Sequence, residues 1–250
     1  DFYDSALIIH VDDKVIFNLN DCPINDEKNL KSFKKKHGKC DILLTQFSYA
    51  AWKGGKLNEK WRIHAAEQKL ETIKLQSKIL KPRTIIPFAS FIYFANIENF
   101  YLNDHSNKVN TLISYSKNNH LNFIIMQPFE KQDINNIKQN NQSIKFWEDI
   151  YLNINHKPKF EYNKPINEVE IIEAFKKYEN LIFKKNSKIL LYLISKIPYL
   201  SIFSSLKILM TDTNNVYLIN LFKGVKKTLD NRYDISMNSN SLLFLLKNNF

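Results

Sequence analysis

Two short apolar runs, Cys40–Thr45 (CDILLT) and Thr84–Phe88 (TIIPF), stand on either side of a long stretch with helical spacing. Runs this compact suit buried strands. Within residues 57–81, Ile63, Ala66, Leu70, Ile73 and Leu80 fall on one face of a 3.6-residue period, and Lys81-Pro82 ends the pattern. Upstream, residues 6–11 (ALIIHV) and 15–19 (VIFNL) flank Asp12-Asp13-Lys14 and read as a hairpin. In the second run Val15, Phe17 and Leu19 alternate with Ile16, Asn18 and Asn20, which predicts one strongly buried face. A short polar helix is expected over 26–37, and Phe123–Met126 reads as a late strand. Strand, helix, strand, helix, strand is the signature of an α/β fold with helices packed on a sheet.

The pattern changes near residue 165. A helical region (Glu168 to Lys196) precedes strand-like runs at Leu206–Thr211 and Val216–Phe222, with Asn214-Asn215 as their turn. Ser241–Lys247 reads as a terminal helix capped by Ser239 or Asn240. The expected organisation is therefore one domain over residues 1–130, an Asn- and Gln-rich linker over 131–164, and a small α+β module over 165–250.

Hydrophobic residues make up 44% of the 250, enough for a core, which argues against disorder. The net charge of +11 points to an anionic partner, but the lysines are spread along the chain and no nucleic-acid motif accompanies them. The densest run, Lys34-Lys35-Lys36, is either a solvated helix face or an anion site. Two cysteines, Cys22 and Cys40, make neither a disulfide framework nor a zinc-knuckle spacing, and reduced thiols fit a cytoplasmic protein. The most apolar stretch, Ile189 to Met210, is broken by Lys196, Pro198 and Lys207, so no membrane span is expected. The ends, at Asp1 and Phe250, read as cuts through a larger protein.

In an open α/β sheet, ligands bind outside the carboxyl ends of the strands. Three such ends are candidates: Asn20-Asp21, Gln46-Phe47-Ser48 and Pro87-Phe88-Ala89. Asp21, at the exit of an apolar strand, is suited to ligate or bridge metal ions, or to cap a turn. His105 is the leading histidine for a further metal ligand, and His64 with Glu67 forms an H-x-x-E pair. Gln46, Ser48, Phe88 and Tyr93 are candidates for substrate contact. The aromatics from Phe88 to Tyr101 would either wall a pocket or pack against the sheet.

Four segments in order, DSALIIHVDDKVIFNLNDC, CDILLTQFSYA, GGKLNEKW and KPRTIIPFASF, resemble the second half of metallo-β-lactamase-fold proteins over about residues 3–105. They are most similar to the branch of the CMP-N-acetylneuraminate hydroxylases. The resemblance implies part of an αββα sandwich and a divalent metal, zinc or iron, bridged by Asp21. It further implies an anionic small-molecule substrate and an electron donor in a Rieske iron–sulfur domain outside this chain. The His-x-His-x-Asp-His motif of the fold is not in the sequence, nor are Rieske Cys/His pairs. Pro87-Phe88-Ala89 stands where ordinary hydrolases of this fold carry a His, and a similar pattern occurs in the hydroxylase-like branch. A non-redox hydrolase of the same fold and a non-catalytic binding protein with a decayed metal site stay open. The closing segment DISMNSNSLLFLLKNNF faintly resembles sterol-carrier-type domains.

Overall fold

The computed structural model describes residues 5–20, 22, 24–161, 164–197 and 203–248. The chain is mixed α/β and divides into two units, Asp1–Glu161 and Tyr162–Phe250, each built on its own four-stranded sheet.

In the first unit, β1 (Leu7–Val11) and β2 (Lys14–Asn18) form the expected hairpin, with Asp12 at φ 52° in its turn. Next come α1 (Glu27–His37), β3 (Ile42–Thr45), α2 (Glu59–Leu80) and β4 (Thr84–Pro87). Strands β2, β3 and β4 run parallel, in the order β1-β2-β3-β4. Register aligns Phe17, Leu43 and Ile85 across them, and all three are buried in one core with Leu30 of α1 and Leu70 and Ile73 of α2. The opposite face of the sheet carries Leu7, Ile9, Ile16, Leu44 and Ile86. Of these apolar residues Leu7 is 55% exposed, Ile9 is exposed and the other three are half-buried, while Ile42 and Thr84 on the same face are buried.

Helix α2 departs from its expected face. Ile63 is exposed, whereas Arg62, Ala65, Ala66, Leu70, Ile73, Gln76, Ile79 and Leu80 are buried. The true inward stripe includes polar side chains, which apolar periodicity passes over. In α1, Asp26 caps the amino end by accepting from Asn29 N at 2.8 Å. Lys34 donates to Ile79 O at 2.6 Å, complementing the carboxyl end of α2, while Lys35 and Lys36 lie exposed, as a solvated face would.

Phe123–Met126 is not a strand. Only Phe123 bridges to Ile85, and at Ile125 the Gln139 side chain supplies the backbone's partners, at 2.8 and 3.0 Å. The Asn- and Gln-rich stretch is likewise no simple linker. Asn140 caps α4 (Asn141–Leu152), and Trp147 of α4 stacks on Phe91 with centroids 4.0 Å apart and donates to Met126 O. Helix α3 (Val109–Asn118) buries Val109 and Leu112 in the same core. The first unit therefore extends to Glu161, past the expected boundary at 130.

In the second unit the helical region is two helices, α5 (Glu168–Lys185) and α6 (Lys188–Ser195), because Ser187 caps a new start. The sheet order is β7-β6-β5-β8, from β5 (Leu206–Met210), β6 (Asn215–Asn220), β7 (Gly224–Thr228) and β8 (Ile235–Met237). Strands β5 to β7 form an antiparallel meander, and β8 lies parallel to β5. Helix α7 (Ser239–Asn248) closes the core with Leu242, Leu243 and Leu246. Its cap is Asn238, which accepts from Ser241 N; the Ser239 hydroxyl is instead directed to Asp212 and accepts from Ile166 N.

Ile73→Ala should cost about 3 kcal/mol in denaturant unfolding, as expected for emptying a buried aliphatic site. Ile63→Ala, at the position that periodicity alone would bury, should stay within about 0.5 kcal/mol.

Candidate functional site

Three polar residues, Arg62, Lys69 and Gln76, stand seven residues apart along α2 and share its inward stripe. Each holds a segment near the carboxyl ends of the strands. Gln76, fully buried, accepts from the Thr45 hydroxyl at 2.8 Å and donates to Ile24 O, tying the end of β3 to the segment that follows β2. Lys69 donates to Gln46 Oε1 at 2.5 Å. Arg62 makes the most bonds: to both Asp104 oxygens at 2.8–3.1 Å, to Gly55 O at 2.9 Å and to Lys56 O at 3.2 Å.

That guanidinium fixes the Gly54-Gly55-Lys56 turn against α2. Its other face lies 5.1 Å from the Tyr101 ring centroid, and the Tyr101 hydroxyl donates to Gly54 O. Gly54 has φ +81°, and a β-carbon there would stand 2.5 Å from Asn58 Cβ and 2.8 Å from Trp61 Cε3. The absence of a side chain at Gly54 is what lets Trp61 settle beside the turn. Burial works against ionising Asp104, but Arg62 and the His105 N–H outweigh it and hold its carboxyl below the usual range.

A cleft of about 530 Å³ opens beside this framework, lined by Asn25, Lys53, Trp61, Gln68, Lys69 and Glu71 among others. Burial, and secondarily the charge of Lys53, lowers the pKa of Lys69. Neither lysine has a carboxylate within ion-pair distance among the described residues. Glu71, the acid on the wall, is engaged by the Tyr115 hydroxyl at 2.7 Å. Trp61 meets Trp52 edge to face at 5.5 Å, and both indoles are about half exposed. Paired ammonium groups beside accessible aromatic faces can hold an anion joined to a planar ring.

The residues chosen from sequence are distributed unevenly around this cleft. Gln46 belongs to it through Lys69. Ser48 is buried, its hydroxyl accepting from Asn107 N at 2.9 Å, so it serves the loop rather than the cleft. Phe88 is half-buried and donates its N–H to Thr45 O. Tyr93 donates to Pro158 O, and Phe91 packs between Phe47 and Trp147, which is the packing reading of these aromatics. His105 lies 2.8 Å from Glu59 Oε1 and 3.9 Å from Asp104. His64 and Glu67 are exposed on α2. Asp21 lies outside the described residues. Among the described residues no three His, Cys, Asp or Glu side chains form a ligand group. Cys22 and Cys40 form no disulfide, and burial pushes the Cys40 thiol up to about 12, which keeps it a poor nucleophile.

Lys53, Lys69 and Trp61 were not singled out by sequence, although one signal was available. Lys69 sits three residues after Ala66 and four before Ile73, so it is a charge placed on a buried stripe. Compared with known protein families, curated proteins and solved structures, the chain matches none.

Asp104→Asn should cost about 3 kcal/mol, the low end for breaking a buried pair, because Asp104 is itself partly exposed. The folded Asp104 pKa is depressed, so this stabilisation is complete above the ordinary carboxyl value of about 3.9 and is lost as pH falls through the folded value. Unfolding followed against pH should show that acid loss in the parent chain and not in Asp104→Asn. Gly54→Ala should shift the tryptophan emission maximum, since Trp61 must move to admit the methyl group.

Proposed function

We propose that the first unit is the substrate-holding part of a metallo-β-lactamase-like enzyme resembling the sugar-nucleotide hydroxylases, and that its cleft takes an anionic, nucleotide-type small molecule. The observation that carries this reading is the pair Lys53 and Lys69 beside Trp61, next to the carboxyl end of β3. Ligands of open α/β sheets bind at that end of the strands. Lys69, partly dehydrated, gains most from an arriving phosphate, because desolvation strengthens a charge-assisted hydrogen bond. Gln46 orients its ammonium group, and Trp61 offers a face to a base or sugar ring.

The sandwich reading is supported by the second face of the sheet. Parallel strands are ordinarily covered on both sides, yet here helices cover one side while on the other Ile42 and Thr84 are buried but Leu7, Ile9, Ile16, Leu44 and Ile86 stay exposed or half-buried. An αββα sandwich would place a second sheet there. Metal chemistry in this reading draws on Asp21 and on ligands beyond the described residues.

Titration calorimetry of the chain with a nucleoside and its monophosphate tests the assignment. The monophosphate should bind more tightly, and Lys69→Ala should weaken it by roughly tenfold or more, the worth of one charge-assisted bond. Because the Lys69 pKa is lowered, affinity should fall as pH rises at values below those where an ordinary lysine, pKa about 10.4, loses its proton. Equal affinity for nucleoside and monophosphate, or an unchanged Lys69→Ala, would remove the assignment.

A further inference from the structure

Helix α6 (Lys188–Ser195, KILLYLIS) has no buried residue, although six of its eight positions are apolar or aromatic. Ile189 is 74% exposed, Leu193 60% and Leu190 56%, and Ile197 just beyond the helix is exposed as well. Ile189, Leu193 and Ile197 follow one another at i, i+4 and i+8, with Leu190 beside them, so the exposed groups make one continuous arc. The helix is held through Tyr192, whose ring meets Phe222 edge to face at 5.7 Å; Phe183 and Phe203 complete that aromatic cluster. An apolar helix of this kind would ordinarily turn its widest face to the core. Here the face points outward.

The charge around the arc says what covers it. Residues 184–196 contain Lys184, Lys185, Lys188 and Lys196 and no acidic residue. None of the four takes part in an ion pair among the described residues. Lys188 Nζ lies 4.7 Å from the Phe183 ring centroid and Lys196 Nζ 5.0 Å from that of Tyr192, so both ammonium groups stand over aromatic faces at the ends of the helix. A second copy of this chain would bring the same four positive charges against these, which opposes self-association. A partner that is apolar inside and negative at its surface suits both features at once. No described helix is long and apolar enough to cross a membrane, so the helix can lie on a bilayer but not span it.

We propose that α6 is a membrane-surface docking helix, seating Ile189, Leu190, Leu193 and Ile197 among the acyl chains of an anionic bilayer while Lys184, Lys185, Lys188 and Lys196 meet its headgroups. The second unit would hold the protein at a lipid surface, independently of what the cleft of the first unit binds.

Co-sedimentation of the full chain with vesicles tests this. The chain should pellet with vesicles containing roughly one third phosphatidylserine and stay in the supernatant with pure phosphatidylcholine. Each of Lys184→Ala and Lys185→Ala should lower the partition coefficient about fivefold, since one basic residue near the surface supplies that factor. Leu193→Asp, at an exposed position that leaves the core intact, should abolish binding. Lys35→Ala and Lys36→Ala, which remove equal charge from the exposed face of α1, should change nothing. Equal binding to both vesicle types, binding that survives Leu193→Asp, or an equal loss in the α1 variants would overturn the proposal. So would failure to bind anionic vesicles together with a dimer in sedimentation velocity that Leu193→Asp dissociates, because the arc would then be a contact between copies.

Discussion

The interaction on which the first unit most depends is the buried guanidinium of Arg62. Its side chain is 3% exposed, and its charge is sustained by the Asp104 carboxylate, two backbone carbonyls and the face of the Tyr101 ring. A buried charge with one partner removed is far more costly than the intact group, which makes the arrangement all-or-none. With Lys69 and Gln76 at seven-residue intervals, Arg62 turns one helix face into a row of polar anchors for the segments after β2, β3 and β4. The cleft is a by-product of that row. Its lysine is held by the same stripe that positions the loops, so changes in substrate contact and changes in loop anchoring are coupled through α2.

Much of the architecture was legible because burial and periodicity coincide in this chain. Val15, Phe17 and Leu19 alternate as a one-faced strand must, and all three are buried. The runs around Leu43 and Ile85 are short and apolar, as parallel strands in a core require. Periodicity failed where polar residues take inward positions. On α2 it chose Ile63 and passed over Arg62 and Gln76, because a search for apolar spacing cannot count a guanidinium or an amide. It also took 131–164 for a linker, where Gln139 acts as a surrogate strand and Asn140 as a cap. Strands β7 and β8, GVKKT and ISM, are polar or short and leave little trace in sequence.

The candidate site was less legible than the fold, and for a physical reason. Strand ends could be located, which brought Gln46 into view, but contacts across the chain could not. Ser48 and Tyr93 carry suitable hydroxyls and are committed elsewhere, to Asn107 and Pro158. Lys69 is one of 36 basic residues, and only its place against Gln46 and Lys53 separates it from the solvated ones.

The second face of the β1-β4 sheet carries a thermodynamic consequence. Water ordered over Leu7, Ile9, Ile16, Leu44 and Ile86 contributes heat capacity that folding of this unit leaves in place. Whatever comes to cover that face will release it, and the association will announce itself as a fall in heat capacity that grows with the apolar area removed from water.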